Sequence, residues 1–302
     1  MSGQQSSNLR SVSRVVPARK TLEGEGFEVR RPIPAAGLEA IGPFIFLDHF
    51  GPVDLGPGEA KGAPNHPHRG FETLTYLIDG RGLHRDSLGN ADSVGPGEAQ
   101  WMRAGSGILH DEGADDVLRR DGGRMHGAQF WINLPKPHKM SAPQYRAIRQ
   151  SDIPEIALPG GGLRLLAGRL ADKTGPVSSF AHPWLAYMGL SAGQAVELTP
   201  DASELAVYVT EGVAKIGQTA REVREGELGI LGPGDTVVLR AVTDTGAFVL
   251  GGDPLDAPIR RWGPFVMNTD EELQEAIRDF HRGKFGRIPF DVMATRLPGD
   301  RR

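Results

Sequence analysis

The 302-residue sequence predicts an all-β protein made of two tandem β-barrels and a short C-terminal helix. Three observations carry that expectation. Short apolar runs recur between turn residues, a faint internal repeat divides the chain into two halves, and helical periodicity is confined to a stretch near residue 270.

In chain order, residues 1–20 are polar, Ser-rich and free of acids, with Arg10, Arg14, Arg19 and Lys20. A transit peptide can have this composition, but the run around Val12–Val16 reads as a tail entering a first strand. Further strand-like runs are 44–47, 73–78, 130–132, 205–209 and 247–250. They are rich in β-branched and aromatic residues and bounded by turn formers, as strands are. The 41 glycines and 23 prolines are dispersed among such runs and mark many turns. That pattern suits a sandwich or barrel rather than βαβ units.

The repeat is local but consistent. Tyr76-Leu77-Ile78-Asp79-Gly80 is echoed by Tyr208-Val209-Thr210-Glu211-Gly212 at an offset of 132 (208 − 76). Gly97-Glu98 is echoed by Gly226-Glu227 at an offset of 129 (226 − 97). Nearly equal offsets indicate a duplicated unit. Pro135-Lys136-Pro137-His138-Lys139 breaks regular structure, so the linker is expected near Pro135–Pro143 and the domains at 1–140 and 141–302. In the second domain, Thr269 with Glu272 forms a capping box, and Asp270 and Glu271 suit the positive end of a helix near 270–282. Leu273, Ala276, Ile277 and Phe280 make its apolar stripe, and Gly283 offers a stop.

Composition removes several function classes. Net charge is −4 with no long basic block, so no direct nucleic-acid surface is expected. The absence of cysteine excludes disulfides, thiolate metal sites and Cys nucleophiles. It also fits a reducing compartment, and a cytoplasmic location is expected. No apolar stretch approaches the roughly 18 residues of a membrane span.

His66-Pro67-His68 is the sharpest chemical feature. On an extended strand, side chains at i and i+2 face the same way, so both imidazoles enter one space. His110 and Glu112 form a second such pair. Two antiparallel strands can bring three imidazoles and one carboxylate to a single ion. The bland reading is a pair of surface histidines beside a Pro turn and a solvated Glu112. Spacing leaves the carboxylate open, because Glu72 lies four residues beyond His68 on the same strand face. His84 is read as a hairpin histidine bonded to Asp86 or a backbone carbonyl, with metal contact as the lesser option. His126 can line a pocket or orient a ligand, while His49, His138, His182 and His281 stand in ordinary loop or helix contexts. Phe44, Phe46, Trp101, Met102, Phe130 and Trp131 are candidates for an apolar pocket wall.

The order His-x-His, a Gly95-Pro96-Gly97 turn, then a strand bearing His110 resembles the two-motif cupin signature. The stretches 66–73, 100–105 and 107–110 resemble the pirin family of bicupins more specifically, as do 26–31, 44–50, 131–135 and 263–268. The likeness spans most of residues 20–286 and thins in the second half. It implies Glu112, not Glu72, as the fourth ligand beside His66, His68 and His110, leaving Glu72 to hold a neighbour. It implies Fe(II), although the ligand types suit Mn, Ni, Cu or Zn as well. Such a set leaves positions open for substrate, as catalytic metals require. The resemblance further implies quercetin 2,3-dioxygenase chemistry. A flavonol and O2 would be the substrates, Glu112 would take the flavonol proton, and the ring would open with loss of carbon monoxide. The alternative from the same family is a non-catalytic, redox-sensing transcriptional co-regulator acting through a protein partner. Transferring the offsets places Leu198, Pro200, Leu239 and Ala241 where the first half has its ligands, so the second barrel is expected to hold no metal.

Overall fold

The computed structural model describes residues 8–158 and 160–289. The sequence runs expected as strands lie within Val12–Pro17, Phe44–Leu55, Phe71–Asp79, Gly123–Asn133, Glu204–Glu211 and Thr245–Gly252. Alternating burial in strands such as Ala195–Leu198 and Val237–Ala241 reflects the two-residue period that puts one face on a core.

Two compact units result, and neither is one continuous stretch. One gathers the described residues up to Arg19, Pro32–Phe44 and Ile153–Pro254. The other gathers Lys20–Arg31, Ile45–Asp152 and the described residues from Leu255 onward. A division at residue 140 therefore misses four crossings of the chain, three before Ile45 and one at Leu255.

Both units are jelly-roll-like, pairing a seven-stranded with a four-stranded sheet in the same order. The seven-stranded sheet of the Ile45–Asp152 unit runs Gln144–Ile148, Ala99–Arg103, Phe71–Asp79, Gly123–Asn133, Phe44–Leu55, Phe27–Ile33, Arg19–Glu23. Its counterpart runs Val12–Pro17, Glu227–Leu231, Glu204–Glu211, Thr245–Gly252, Trp184–Leu190, Gly161–Ala167, Glu155–Leu158. The four-stranded sheets are Gly62–His68, Ile108–Ala114, Gly82–Asp86, Ala91–Val94 and Ala195–Leu198, Val237–Ala241, Val213–Ile216, Arg221–Arg224. The echoed Tyr strands take the third place in each large sheet. First place goes to Gln144–Ile148 and Val12–Pro17, themselves separated by 132 residues (144 − 12). Each repeat thus opens with a strand that hydrogen-bonds into the sheet built mainly by the other repeat, satisfying a row of backbone groups that an edge would otherwise expose.

The helix forms at Asp270–His281 with its capping box intact: Thr269 Oγ1 accepts from the Glu272 N–H at 3.2 Å and Glu272 Oε2 accepts from the Thr269 N–H at 3.0 Å. Gly283, at φ 72°, ends it, and the Lys284 N–H donates to the Asp279 carbonyl at 3.0 Å. Leu273, Ala276, Ile277 and Phe280 pack with Phe265, Met267, Phe285 and Leu109. Leu109 sits on the strand that carries His110, so the helix belongs to the N-terminal barrel rather than to a domain 141–302. A charge pair adds to this packing. Arg69, next to the His-x-His motif, donates from Nη2 to Asp279 Oδ2 at 3.0 Å, and their side chains are 3% and 7% exposed.

Removing one partner of a buried pair strands the other charge. Asp279→Ala should therefore lower unfolding stability by about 3 kcal/mol, read as a shift in the denaturation midpoint.

Candidate metal centre

The strands Gly62–His68 and Ile108–Ala114 are antiparallel neighbours with His66 opposite His110 and His68 opposite Ile108. The register slips by one residue before Glu112 pairs with Ala63, a bulge that bends the His-bearing strand. Its consequence is local: the Pro64 carbonyl turns back to lie 2.8 Å from His66 Nδ1. The three imidazoles meet with ring centroids 4.2 Å apart for His66–His110, 4.7 Å for His66–His68 and 4.9 Å for His68–His110. One nitrogen from each lies within 4.8 Å of the others.

Tautomers follow from what stands behind each ring. Carbonyl oxygens only accept, so His66 Nδ1 donates to Pro64 and His68 Nδ1 donates to the Pro264 carbonyl at 3.2 Å. A neutral imidazole that donates from Nδ1 has a lone pair on Nε2. The His66 and His68 Nε2 atoms are 3.1 Å apart, so two lone pairs face one another. His110 Nε2 is buried with no hydrogen-bond partner. Burial first, then the neighbouring imidazoles, push His68 and His110 well below the ordinary imidazole range and keep them neutral. Three converging lone pairs in a buried space repel one another unless a cation takes all three. The donor set fits a divalent transition metal.

The His68 support is built from distant sequence. Lys139 Nζ donates to the Gly70 carbonyl at 2.7 Å, the Val266 carbonyl at 2.8 Å and Asn133 Oδ1 at 2.5 Å. Those three acceptors clamp the 264–267 segment beside the His66-Pro67-His68-Arg69-Gly70 turn. Gly70, at φ 88°, is required there, because a Cβ would lie 2.0 Å from the Val266 oxygen. Burial pushes the Lys139 ammonium down to about 7. The segment read as a linker therefore supplies a buried clamp, which no local pattern announced.

The two candidate carboxylates have different surroundings. Glu72 is fully buried and accepts from Arg103 Nε at 2.9 Å and Trp101 Nε1 at 3.3 Å. Glu112 lies outside the 4.8 Å set, and its Oε1 accepts from Gln129 Nε2 at 2.5 Å. Gln129 Oε1 in turn accepts from Trp131 Nε1 at 3.2 Å. Gln129 was not singled out by sequence; its alternation with Trp131 on the Gly123–Asn133 strand was the available signal.

Among the wall candidates, Trp131 and Phe46 stand at the site. Trp131 stacks on Phe46 at 4.4 Å and on Phe71 at 4.3 Å, and its ring lies 5.2 Å from that of His68. Met102 instead packs with Ala104 and Ile108, while Phe44 and Phe130 are fully buried. His84 is bonded to Asp86, as expected for a hairpin histidine, but it also lies 3.4 Å from His110, Nδ1 to Nδ1. His126 pairs with His49, Nε2 to Nε2 at 2.8 Å, so His49 is a buried strand residue rather than a loop histidine. Burial, then Arg30 and His126, lower His49 to about 2. His138 lies in a single 3-10 turn, His182 in an exposed turn and His281 at the helix end.

The second barrel fills the same place with core. There Leu239 pairs with both Val196 and Ile216, and Ala241 pairs with Ala214. His66 and His68 thus correspond to Val196 and Leu198, two residues short of what the sequence offset gave, while His110 and Glu112 correspond to Leu239 and Ala241. All of these lie in one buried apolar cluster.

The Pirin family model matches residues 26–132 and that of the pirin C-terminal cupin domain matches 185–286. The chain belongs to the pirin family. A Pseudomonas aeruginosa protein provisionally named a quercetin 2,3-dioxygenase is 40% identical over 274 residues, covering 89% of this chain and 95% of that one. A pirin-like protein of Caulobacter vibrioides is 38% identical, covering 92% and 99%. The crystal structure of a quercetin 2,3-dioxygenase from Acinetobacter baumannii superposes with a TM-score of 0.87 at 37% identity, covering 93% and 100%. This pirin is therefore a two-cupin protein with a three-histidine site that can hold a metal. Among its described residues, no helix is long and apolar enough to cross a membrane.

His49 gives the apoprotein a pH signature. Its folded value of about 2 lies below the unfolded value of about 6.5, so the unfolded chain binds the extra proton between them. Stability is held above that window and lost as pH falls through it, by about 1.4 kcal/mol per pH unit. Unfolding at pH 7, 6 and 5 should show a shallower decline for His49→Gln than for the native chain.

Proposed function

We propose that this pirin is a metal-dependent dioxygenase acting on a flavonol such as quercetin, with Fe(II) held by His66, His68, His110 and Glu112. The observation that carries the reading is the convergence of three imidazole nitrogens within 4.8 Å, beside a wall of stacked aromatic rings. When bound, the ion would polarise a substrate oxygen as a Lewis acid and admit O2 at an open position.

The chain supplies the rest. Trp131, layered between Phe46 and Phe71 with both its faces covered, forms with them a rigid apolar stack whose edge a planar ring system would meet. The Arg261 guanidinium stands 5.2 Å from the Trp131 ring and 5.6 Å from that of Phe46, bringing positive charge to the wall where a flavonol anion would gather. Glu112, on the same strand face as His110, is the carboxylate that would complete the ligand set and accept the flavonol hydroxyl proton. Gln129 holds it through a 2.5 Å hydrogen bond. Both atoms of O2 enter the products as the ring opens and carbon monoxide leaves, so no external reductant is required.

The test is aerobic loss of flavonol absorbance by iron-loaded protein. Turnover should vanish with a chelator and fall at least about 100-fold in a Glu112→Gln variant that still holds iron. Turnover undiminished in that variant would remove Glu112 from the reaction. An iron-loaded native chain that leaves every flavonol of a small panel intact would overturn the reading.

A further inference from the structure

His84 and Asp86 lie beside the metal centre, and ligation does not account for them. Their strand, Gly82–Asp86, flanks Ile108–Ala114 on the side opposite Gly62–His68, with Asp86 facing His110 in register. Both side chains are buried, at 2% and 0% exposure, and His110 is at 0%. His84 Nε2 is 3.0 Å from Asp86 Oδ2, and His84 Nδ1 is 3.4 Å from His110 Nδ1, a long contact. The His84 ring stacks on Tyr145 at 3.9 Å with 4° between planes, which fixes its rotation. Asp86 is fixed too. Its Oδ1 accepts from the Leu88 N–H at 2.9 Å, the Asn90 N–H at 3.1 Å and Asn90 Nδ2 at 3.1 Å, and its Oδ2 accepts from Asn90 Nδ2 at 2.8 Å.

Proton bookkeeping along this row has one solution. Both oxygens of the Asp86 carboxylate already face N–H donors of Leu88 and Asn90, so Asp86 only accepts. His84 then carries its proton on Nε2 and presents a lone pair at Nδ1. His110 must supply the proton between the two rings from its own Nδ1, which leaves its Nε2 as the lone pair turned toward His66 and His68.

We propose that Asp86 and His84 form a positioning relay that holds His110 in the Nδ1–H tautomer and so keeps its Nε2 available to the metal. The proposal rests on the metal-centre reading. The second barrel supports it independently: with Leu239 in the place of His110, register puts Ile216 at the Asp86 position and Ala214 at the His84 position. Where no imidazole needs orienting, the histidine and the aspartate are both absent.

The decisive variant is Asp86→Asn. The Leu88 and Asn90 N–H groups retain the amide oxygen at the Oδ1 position, where Asn90 Nδ2 keeps its bond to that oxygen and gives up the one to Oδ2, so the amide nitrogen faces His84 Nε2 and both ring tautomers must reverse. Long-range 1H–15N NMR of the apoprotein should show His84 protonated at Nε2 and His110 at Nδ1, and the opposite in the variant. Affinity for Co(II), followed by titration of the visible spectrum, should fall about 10–100-fold in Asp86→Asn and in His84→Phe. Apoprotein melting reports folding, and Asp86→Asn preserves the Tyr145 stack should His84→Phe fail to fold. Cobalt binding that survives within twofold in Asp86→Asn, with tautomers unchanged, would overturn the relay alone. A native chain that binds no cobalt would overturn both the relay and the metal centre beneath it.

Discussion

The structure depends on keeping three imidazole lone pairs pointed at one another. Neutral histidines arranged this way repel, so each ring must be anchored from behind by an acceptor that claims its Nδ1 proton. The anchors are the Pro64 carbonyl for His66, the Pro264 carbonyl for His68 and the His84 ring for His110. Much of what surrounds the site serves one of these three anchors. A bulge turns Pro64, a buried lysine and a Cβ-free turn fix the 264–267 segment, and a carboxylate fixes His84. Such backing of metal ligands sets both tautomer and ring orientation.

The two barrels show what that arrangement costs and what replaces it. They share strand order, yet one centre is polar and the other is made of Val196, Leu198, Leu239, Ile216 and Ala214 in a continuous apolar core. Burying those side chains is favourable without further partners. Burying imidazoles and carboxylates requires every donor and acceptor to be met. The N-terminal barrel meets that demand with chain from far away, including the segment after Leu255.

Much of the site was legible locally. His66 and His68 share a face because strand side chains alternate, and the Thr269–Glu272 cap and the stripe after it locate the helix. The roles of Lys139, Gln129 and His49 were not legible. Each lies in a stretch whose local pattern is ordinary, and each acquires its role from a partner on another strand or segment, such as Glu112 for Gln129 and His126 for His49. Sequence spacing also left Glu72 and Glu112 equivalent. Glu72 is engaged by the half-buried Arg103 and the buried Trp101, and those neighbours arise from cross-strand register.

By itself the sequence determined the all-β class, the duplication, the helix and the three histidines that converge, because these are written in periodicities of two to four residues and in one repeat. Tertiary structure decided which barrel owns the first strand and the last helix, which nitrogen of each histidine is free, and what stands behind it. Those outcomes depend on register and burial between segments far apart in the chain, and a linear pattern encodes neither.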